Sequence, residues 1–134
     1  MPTTDVEQEN IALVRRGFEA FGAQDMAALT QLFAEDATWR SAPTGVLGGD
    51  RIGRNDIFTM FGILGQETRG QFKVVPETFA ASGDQVFVRA TATGARNGKT
   101  LTSDEVLVFT LADGQVRNVQ FFMHDAAANA AFWA

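Results

Sequence analysis

VFVRATATGARNGKTLTSDEVLVFTLADGQVRNVQFFMH, residues 86–124, is the stretch that decides how this chain folds. Asn97-Gly98 is the pair favoured in two-residue type I′ turns, and Ala112-Asp113-Gly114 marks a second reversal. Around both turns lie long runs of Val, Phe, Leu and Thr, side chains that suit a pleated surface. The stretch therefore reads as three long antiparallel strands joined by two hairpins. A two-residue turn at Asn97-Gly98 pairs Ala90 with Glu105, Val88 with Leu107 and Val86 with Phe109. One face then carries Val86, Val88, Ala90, Ala92, Glu105, Leu107 and Phe109; the other carries Phe87, Arg89, Thr91, Asp104, Val106 and Val108.

The second reversal leaves a choice of one residue, and a slip of one residue exchanges faces. A two-residue Asp113-Gly114 loop sets Asn118, Gln120, Phe122 and His124 beside Glu105. A three-residue loop sets Val119, Phe121, Met123 and Asp125 there, with Glu105 opposite Phe121. The second set continues the apolar face of Leu107 and Phe109, so the three-residue loop is the expectation. It leaves Glu105 as a carboxyl among Leu, Phe and Met. Desolvation there disfavours the charged form and raises the pKa. The small residues Ala90 and Ala92 leave room beside it.

Upstream, the chain turns helical. Thr4 and Glu7 have the spacing of a capping box, and Ile11, Val14, Phe18 and Phe21 recur at helical intervals, which predicts a helix from about Val6 to Ala23. Asp25 is an N-cap for a shorter helix bearing Leu29, Leu32 and Phe33. A short strand follows at Ala37–Ser41, then a glycine-rich loop over 42–53. A third helix starts near Asn55 with Ile57, Phe58, Phe61 and Leu64 inward. Phe72 to Ala80 reads as a strand whose Pro76 belongs at an edge or a bulge. The order is ααβαββββ with a tail, Ala126–Ala134, of helical composition. Helices first and a curved antiparallel sheet last give an α+β cone that encloses a pocket.

Composition narrows the chemistry. The 134 residues, 46% hydrophobic and 20% charged, suit one globular domain over 1–134. With no cysteine there is no disulfide and no thiolate nucleophile, and a single histidine argues against a metal site. Net charge is −5 with no basic cluster, which gives nucleic acid or an anionic membrane nothing to hold. No apolar run reaches the roughly 20 residues of a membrane span. Met1-Pro2-Thr3-Thr4-Asp5 lacks the features of a signal peptide, so a cytoplasmic location is expected. Tyrosine is absent beside twelve phenylalanines. Gly45, Gly48 and Gly49 lack the Gly-Lys-Ser/Thr ending of a phosphate loop.

Several segments carry a family likeness: Ala20-Phe21-Gly22-Ala23-Gln24-Asp25, Leu32 to Trp39, Gly49-Asp50-Arg51-Ile52-Gly53-Arg54, Glu105-Val106-Leu107-Val108-Phe109 and Asp113-Gly114-Gln115-Val116. On these the chain resembles the nuclear transport factor 2-like superfamily, in its SnoaL-like and ketosteroid-isomerase-like branch. The resemblance implies a cystatin-like α+β barrel. It also implies that Glu105 falls where the isomerases keep a protonated carboxylic acid in their oxyanion hole. The isomerase tyrosine falls near Gly17 and the isomerase base near Ser41 or Ala42, so two of three isomerase groups are missing. The aspartate acid/base of SnoaL-like cyclases is matched roughly by Asp125.

The candidate catalytic residues are thus Glu105, with Asp125 or His124 to move a proton. Asp125 alternatively caps a C-terminal helix, and His124 points outward unless the shorter loop is correct. Trp39, Phe18, Phe61, Ala90, Leu107, Phe121 and Met123 are the expected pocket wall. The ligand is expected to be a small, apolar, oxygen-bearing molecule. The chemistry would be isomerisation or polyketide-type cyclisation by general acid/base catalysis without cofactor or metal. A non-catalytic ligand-binding or assembly module of the same fold is the other reading. The outer face, with Phe87, Val106, Val108 and Phe122, is apolar enough that a homodimer through it is expected.

Overall fold

The computed structural model describes residues 3–134; Met1 and Pro2, with which the segment read as lacking a signal peptide begins, lie outside the described residues. Four helices and six strands follow in the order α1 (Asp5–Ala23), α2 (Met26–Leu32), β1 (Phe33–Arg40), β2 (Arg51–Ile52), α3 (Arg54–Glu67), β3 (Lys73–Ser82), β4 (Gln85–Arg96), β5 (Lys99–Ala112), β6 (Gln115–Met123) and α4 (Ala126–Trp133). The strands form one curved sheet ordered β2-β1-β6-β5-β4-β3, antiparallel throughout except for the parallel pair β1–β6. Because β2 and β3 remain as edges, the sheet stops short of a closed barrel. Among the described residues no helix is long and apolar enough to cross a membrane.

The helices begin where their caps dictate. Thr4 Oγ1 accepts from Glu7 N at 3.1 Å while Glu7 Oε1 accepts from Thr4 N at 2.8 Å, satisfying two amide groups that the first turn leaves free. Glu7 Oε2 also accepts from Gly83 N at 2.7 Å, which ties the start of α1 to the β3–β4 turn. These backbone bonds hold its carboxyl below the usual range. Asp25 caps α2 through Ala28 N at 3.1 Å. Each cap of this type is worth about 1 kcal/mol. Pro76 lies on the edge strand β3 beside a bulge between Pro76 and Thr78, where its missing N–H interrupts no central ladder.

The β4–β5 register is the one the Asn97-Gly98 turn predicts: Ala90 faces Glu105 and Val88 faces Leu107, with both turn residues at positive φ (51° and 75°). The β5–β6 turn corrects the sequence reading. It is a two-residue loop, with Asp113 (φ 54°) and Gly114 (φ 74°) between Ala112 and Gln115, and no three-residue loop forms. The register then shifts within the strands: Leu111 pairs with Val116, yet Thr110 pairs with Asn118, leaving Arg117 as an extra residue. Beyond that bulge Val119, Phe121 and Met123 share the face of Glu105 after all, and Glu105 sits opposite Met123, where the sequence reading had Phe121.

Val14 from α1, Ile57 from α3 and Val86, Val88, Val116 and Val119 from the sheet are all at most 1% exposed and hold the helices on the concave side. On the outer face Phe87, Val106 and Phe122 are 38%, 40% and 54% exposed, whereas Val108, expected to be exposed with them, is buried at 7%. The open end of the cone is closed by α4, whose Phe132 and Trp133 are buried beside Leu64 and Leu101. Arg96 fastens that plug, donating to the carbonyls of Phe132 (2.9 Å) and Ala134 (2.8 Å) and pairing with Glu67 at 2.6 Å.

Deleting Arg117 tests the bulge. The pairing beyond it already obeys the two-residue turn once that residue is removed, so the deletion is expected to fold with Glu105 still opposite Met123, at a loss of about 1 kcal/mol. Cross-strand nuclear Overhauser contacts check this: a contact set pairing Glu105 with Phe122 would refute it.

Candidate functional site

Between helices and sheet lies a cavity of about 110 Å³. An engineered apolar cavity of about 150 Å³ takes benzene, so this one suits a ligand about one ring in size. Its wall is mostly aromatic and aliphatic, with Ser41, Thr44 and Asn129 as uncharged polar members. Trp39 on β1 stands edge-on to Phe61 of α3 with centroids 5.8 Å apart, and lies 6.1 Å from Phe121 of β6. Phe18 of α1 meets Phe109 of β5 edge-on at 5.8 Å. Leu107 and Met123 complete the sheet side.

Strand alternation puts Glu105 into this wall, because it shares a face with Leu107 and Phe109. It is 6% exposed and is the one titratable side chain lining the cavity among the described residues. The arginines that could have neutralised it are engaged elsewhere. Arg40 pairs with Asp50 at 3.2 Å, Arg54 donates to the carbonyls of Thr30 and Phe33, and Arg89 lies exposed on the outer face. Burial therefore dominates and pushes its pKa up to about 8; a hydrogen bond from Ser103 opposes the rise, and the charge of neighbouring Asp104 adds to it. Near neutral pH Glu105 is a neutral acid that can donate a proton into an apolar space.

Its partner groups are polar and uncharged. Ser103 lies two residues before Glu105 on the same strand face. Asn129 of α4 donates from Nδ2 to Ser103 Oγ at 3.0 Å and to the Asp125 carbonyl at 2.9 Å. Both side chains are buried, at 3% and 2% exposure. Neither Ser103 nor Asn129 stands out in the sequence as a site residue. The pairing of Ala92 with Ser103 already put the serine on the right face, and Asn129 is the one polar residue of an otherwise apolar tail.

Of the sequence-predicted site residues, Glu105, Trp39, Phe18, Phe61, Leu107, Phe121 and Met123 come together around the cavity. Ala90 lies directly behind Glu105 on β4 and is fully buried without reaching the lining. Asp125 is exposed, and its Oδ1 caps α4 by accepting from Ala128 N at 2.9 Å, so it does not share the cavity with Glu105. His124 is exposed on the outer face, around a surface pocket bordered by Arg89, Phe122 and also Glu105, and not in the cavity; its backbone N–H donates to Asp104 O at 2.9 Å. Gly17 lies in the wall, and a Cβ there would come within 2.7 Å of Leu32 Cδ2, so a larger residue would require the Leu32 side chain to move.

Residues 14–119 match the family model described as the SnoaL-like domain. An uncharacterized protein of Mycobacterium tuberculosis is 31% identical over 129 residues, spanning 96% of this chain and 98% of the relative. Among solved structures, Bal32a from a soil-derived mobile gene cassette is similar with a TM-score of 0.92 and 36% identity, over 96% of this chain and 98% of that one. A candidate SnoaL-like polyketide cyclase from Jannaschia sp. CCS1 is similar with a TM-score of 0.82 and 25% identity, over 100% and 98% of the two chains.

Burying Glu105 ties stability to pH. From the ordinary carboxyl value of 4.5 up to about 8, the folded protein keeps a proton that the unfolded chain releases, so stability falls as pH rises through that window. The slope approaches about 1.4 kcal/mol per pH unit. Glu105→Gln removes this titration and is expected to exceed the wild type by a few kcal/mol (order of magnitude) at pH 8, the difference shrinking to under about 1 kcal/mol near pH 4.5. Urea unfolding at several pH values reads it directly. A pH-independent difference would show that the carboxyl titrates as it does in the unfolded chain.

Proposed function

The chain belongs to the SnoaL-like domain family, and from that premise we propose that its cavity binds a small apolar molecule bearing a carbonyl oxygen and works on it as an isomerase- or cyclase-like enzyme through Glu105. One observation carries the reading: a carboxyl 6% exposed, with no cation beside it, in a wall that is otherwise uncharged and mostly aromatic and aliphatic. A buried carboxyl without a cation partner lowers stability and contributes nothing to packing that a leucine would not, so its placement points to chemistry.

A single carboxyl suffices for ring closure. If the enol carbon of a ligand attacks a carbonyl carbon of the same molecule, the carbonyl oxygen gains charge as the new C–C bond forms. Glu105 gives its proton to that oxygen. The resulting carboxylate takes the proton of the enol oxygen as its C=O re-forms, which returns Glu105 to its neutral state. Proton transfer at the oxygen is favoured because Glu105 is buried in a largely apolar wall, which leaves little water to compete for the developing charge. The similarity to a candidate polyketide cyclase supports a ring-closing reaction among those the family performs.

A second reading rests on a specific observation as well. With Asp125 on the helix cap and His124 outside, no second titratable group among the described residues lines the cavity, as suits a binding module without chemistry. The two readings separate on one pair of measurements. Calorimetric titration with 2-cyclohexen-1-one is expected to show binding that is constant below about pH 7 and weakens toward tenfold per pH unit above pH 8, as Glu105 loses its proton. Glu105→Ala is expected to weaken it at least about tenfold, the value of one buried hydrogen bond to a carbonyl. Binding that is unaffected by pH and by Glu105→Ala would overturn the reading. Turnover of an enolisable diketone lost in Glu105→Gln, with binding retained, distinguishes enzyme from binding module.

A further inference from the structure

We propose that Asn129 of the C-terminal helix is a positioning residue for Glu105, acting through Ser103, so that seating α4 over the cavity and aiming the acid's proton into it are one event; this rests on the reading of Glu105 as the site acid. The two hydrogens of Asn129 Nδ2 are both engaged, one on the Asp125 carbonyl at 2.9 Å and one on Ser103 Oγ at 3.0 Å. Ser103 Oγ therefore acts as an acceptor toward α4. Its single hydrogen is left over, and the Glu105 carboxyl, two residues along the same face of β5, is the group placed to accept it.

The chain of donors thus has one direction: Asn129 to Ser103 to Glu105. With one carboxyl oxygen of Glu105 occupied as an acceptor, the acid's own proton is carried on the other oxygen and faces the cavity. A ligand must bring an acceptor oxygen to meet it, such as a ketone or ester carbonyl. The arrangement depends on α4 being seated. Asp125 caps that helix through Ala128 N, and the Arg96 bonds to the Phe132 and Ala134 carbonyls hold its other end. The charged groups facing this network are few. Asp104, Arg89 and His124 lie on the outer side of the sheet, around a surface pocket that Glu105 also borders; Asp125 is exposed at the start of α4, and no other titratable side chain among the described residues lines the cavity.

The test is made on the ligand-free protein, so it stands or falls apart from whether any ligand is turned over. The titration of Glu105 is followed by the ¹³C signal of its side-chain carboxyl in wild type, Asn129→Leu, Ser103→Ala, the double variant and Ser103→Thr. Freed from Asn129, the Ser103 hydroxyl no longer aims its hydrogen at the carboxyl, and the charged form loses support. The expected result is a midpoint above the wild-type value in both single variants, no further rise in the double variant, and a wild-type midpoint in Ser103→Thr, which keeps the hydroxyl. A purely structural role for Asn129 moves the midpoint the other way, toward 4.5, because a loosened α4 admits water to Glu105. A midpoint in Asn129→Leu that is unchanged or lowered, or shifts that simply add, overturns the proposal. If Asn129→Leu does not fold, Ser103→Ala against Ser103→Thr decides with α4 and its cap intact: equal midpoints in those two overturn it.

Discussion

Val116 and Val119 are both fully buried although they stand three residues apart on one strand, a spacing that strict alternation cannot satisfy. The sheet resolves it by leaving Arg117 unpaired against β5. On the near side of this bulge the tight turn at Asp113-Gly114 sets Val116 against Leu111; on the far side Val119, Phe121 and Met123 face inward with Leu107 and Glu105. Had the ladder run unbroken, Gln120 and Phe122 would share the face of Leu107 and Glu105, with Phe121 and Met123 turned outward. The cavity's apolar wall, and so the desolvation of Glu105, follows from that one irregularity. The bulge lies where Arg117 reaches Asp36 of β1 at 3.4 Å and Asp113 at 3.7 Å, exposed pairs worth little in themselves.

Around Glu105 two opposing effects set the chemistry. Burial among Leu, Phe and Met favours the neutral acid, while Ser103 supports the carboxylate. The balance leaves the group close to the pH at which it would work, where giving a proton and taking it back are of similar ease. A charged partner such as an arginine would remove that balance by pinning the carboxylate. Arg40, Arg54 and Arg89 each have a different neighbour or a different face, and their absence from the cavity is as much a part of the site as Glu105 itself.

Most of the local structure was legible in the chain. The caps at Thr4 and Asp25, the turn at Asn97-Gly98 and the placement of Pro76 each follow from residue types whose backbone or hydrogen-bonding preference acts within a few positions. The apolar pattern of Val119, Phe121 and Met123 indicates the inward face of β6 although the loop before it is the two-residue type that Asp113-Gly114 suggests, because the bulge restores that face. Val116, with its odd spacing from Val119, was the missed sign of a bulge. What was not legible depends on distant pairing. The parallel contact of β1 with β6 and the two-residue strand β2 come from segments too far apart or too short to leave a pattern. Asp125 and Asn129 illustrate the same limit within the site. Helix start signals were strong enough to offer Asp125 as a cap, but only the packing of α4 against β5 brings Asn129 to Ser103.

Glu105 has to be a neutral acid in the folded protein at neutral pH for this chemistry, and infrared difference spectroscopy of wild type against Glu105→Gln reads that state without a ligand. At pH 6.5 the difference is predicted to show the C=O stretch of a protonated carboxylic acid in a dry environment, converting to carboxylate bands with a midpoint near 8. Carboxylate bands already complete at pH 6.5, with no protonated C=O signal, would contradict it.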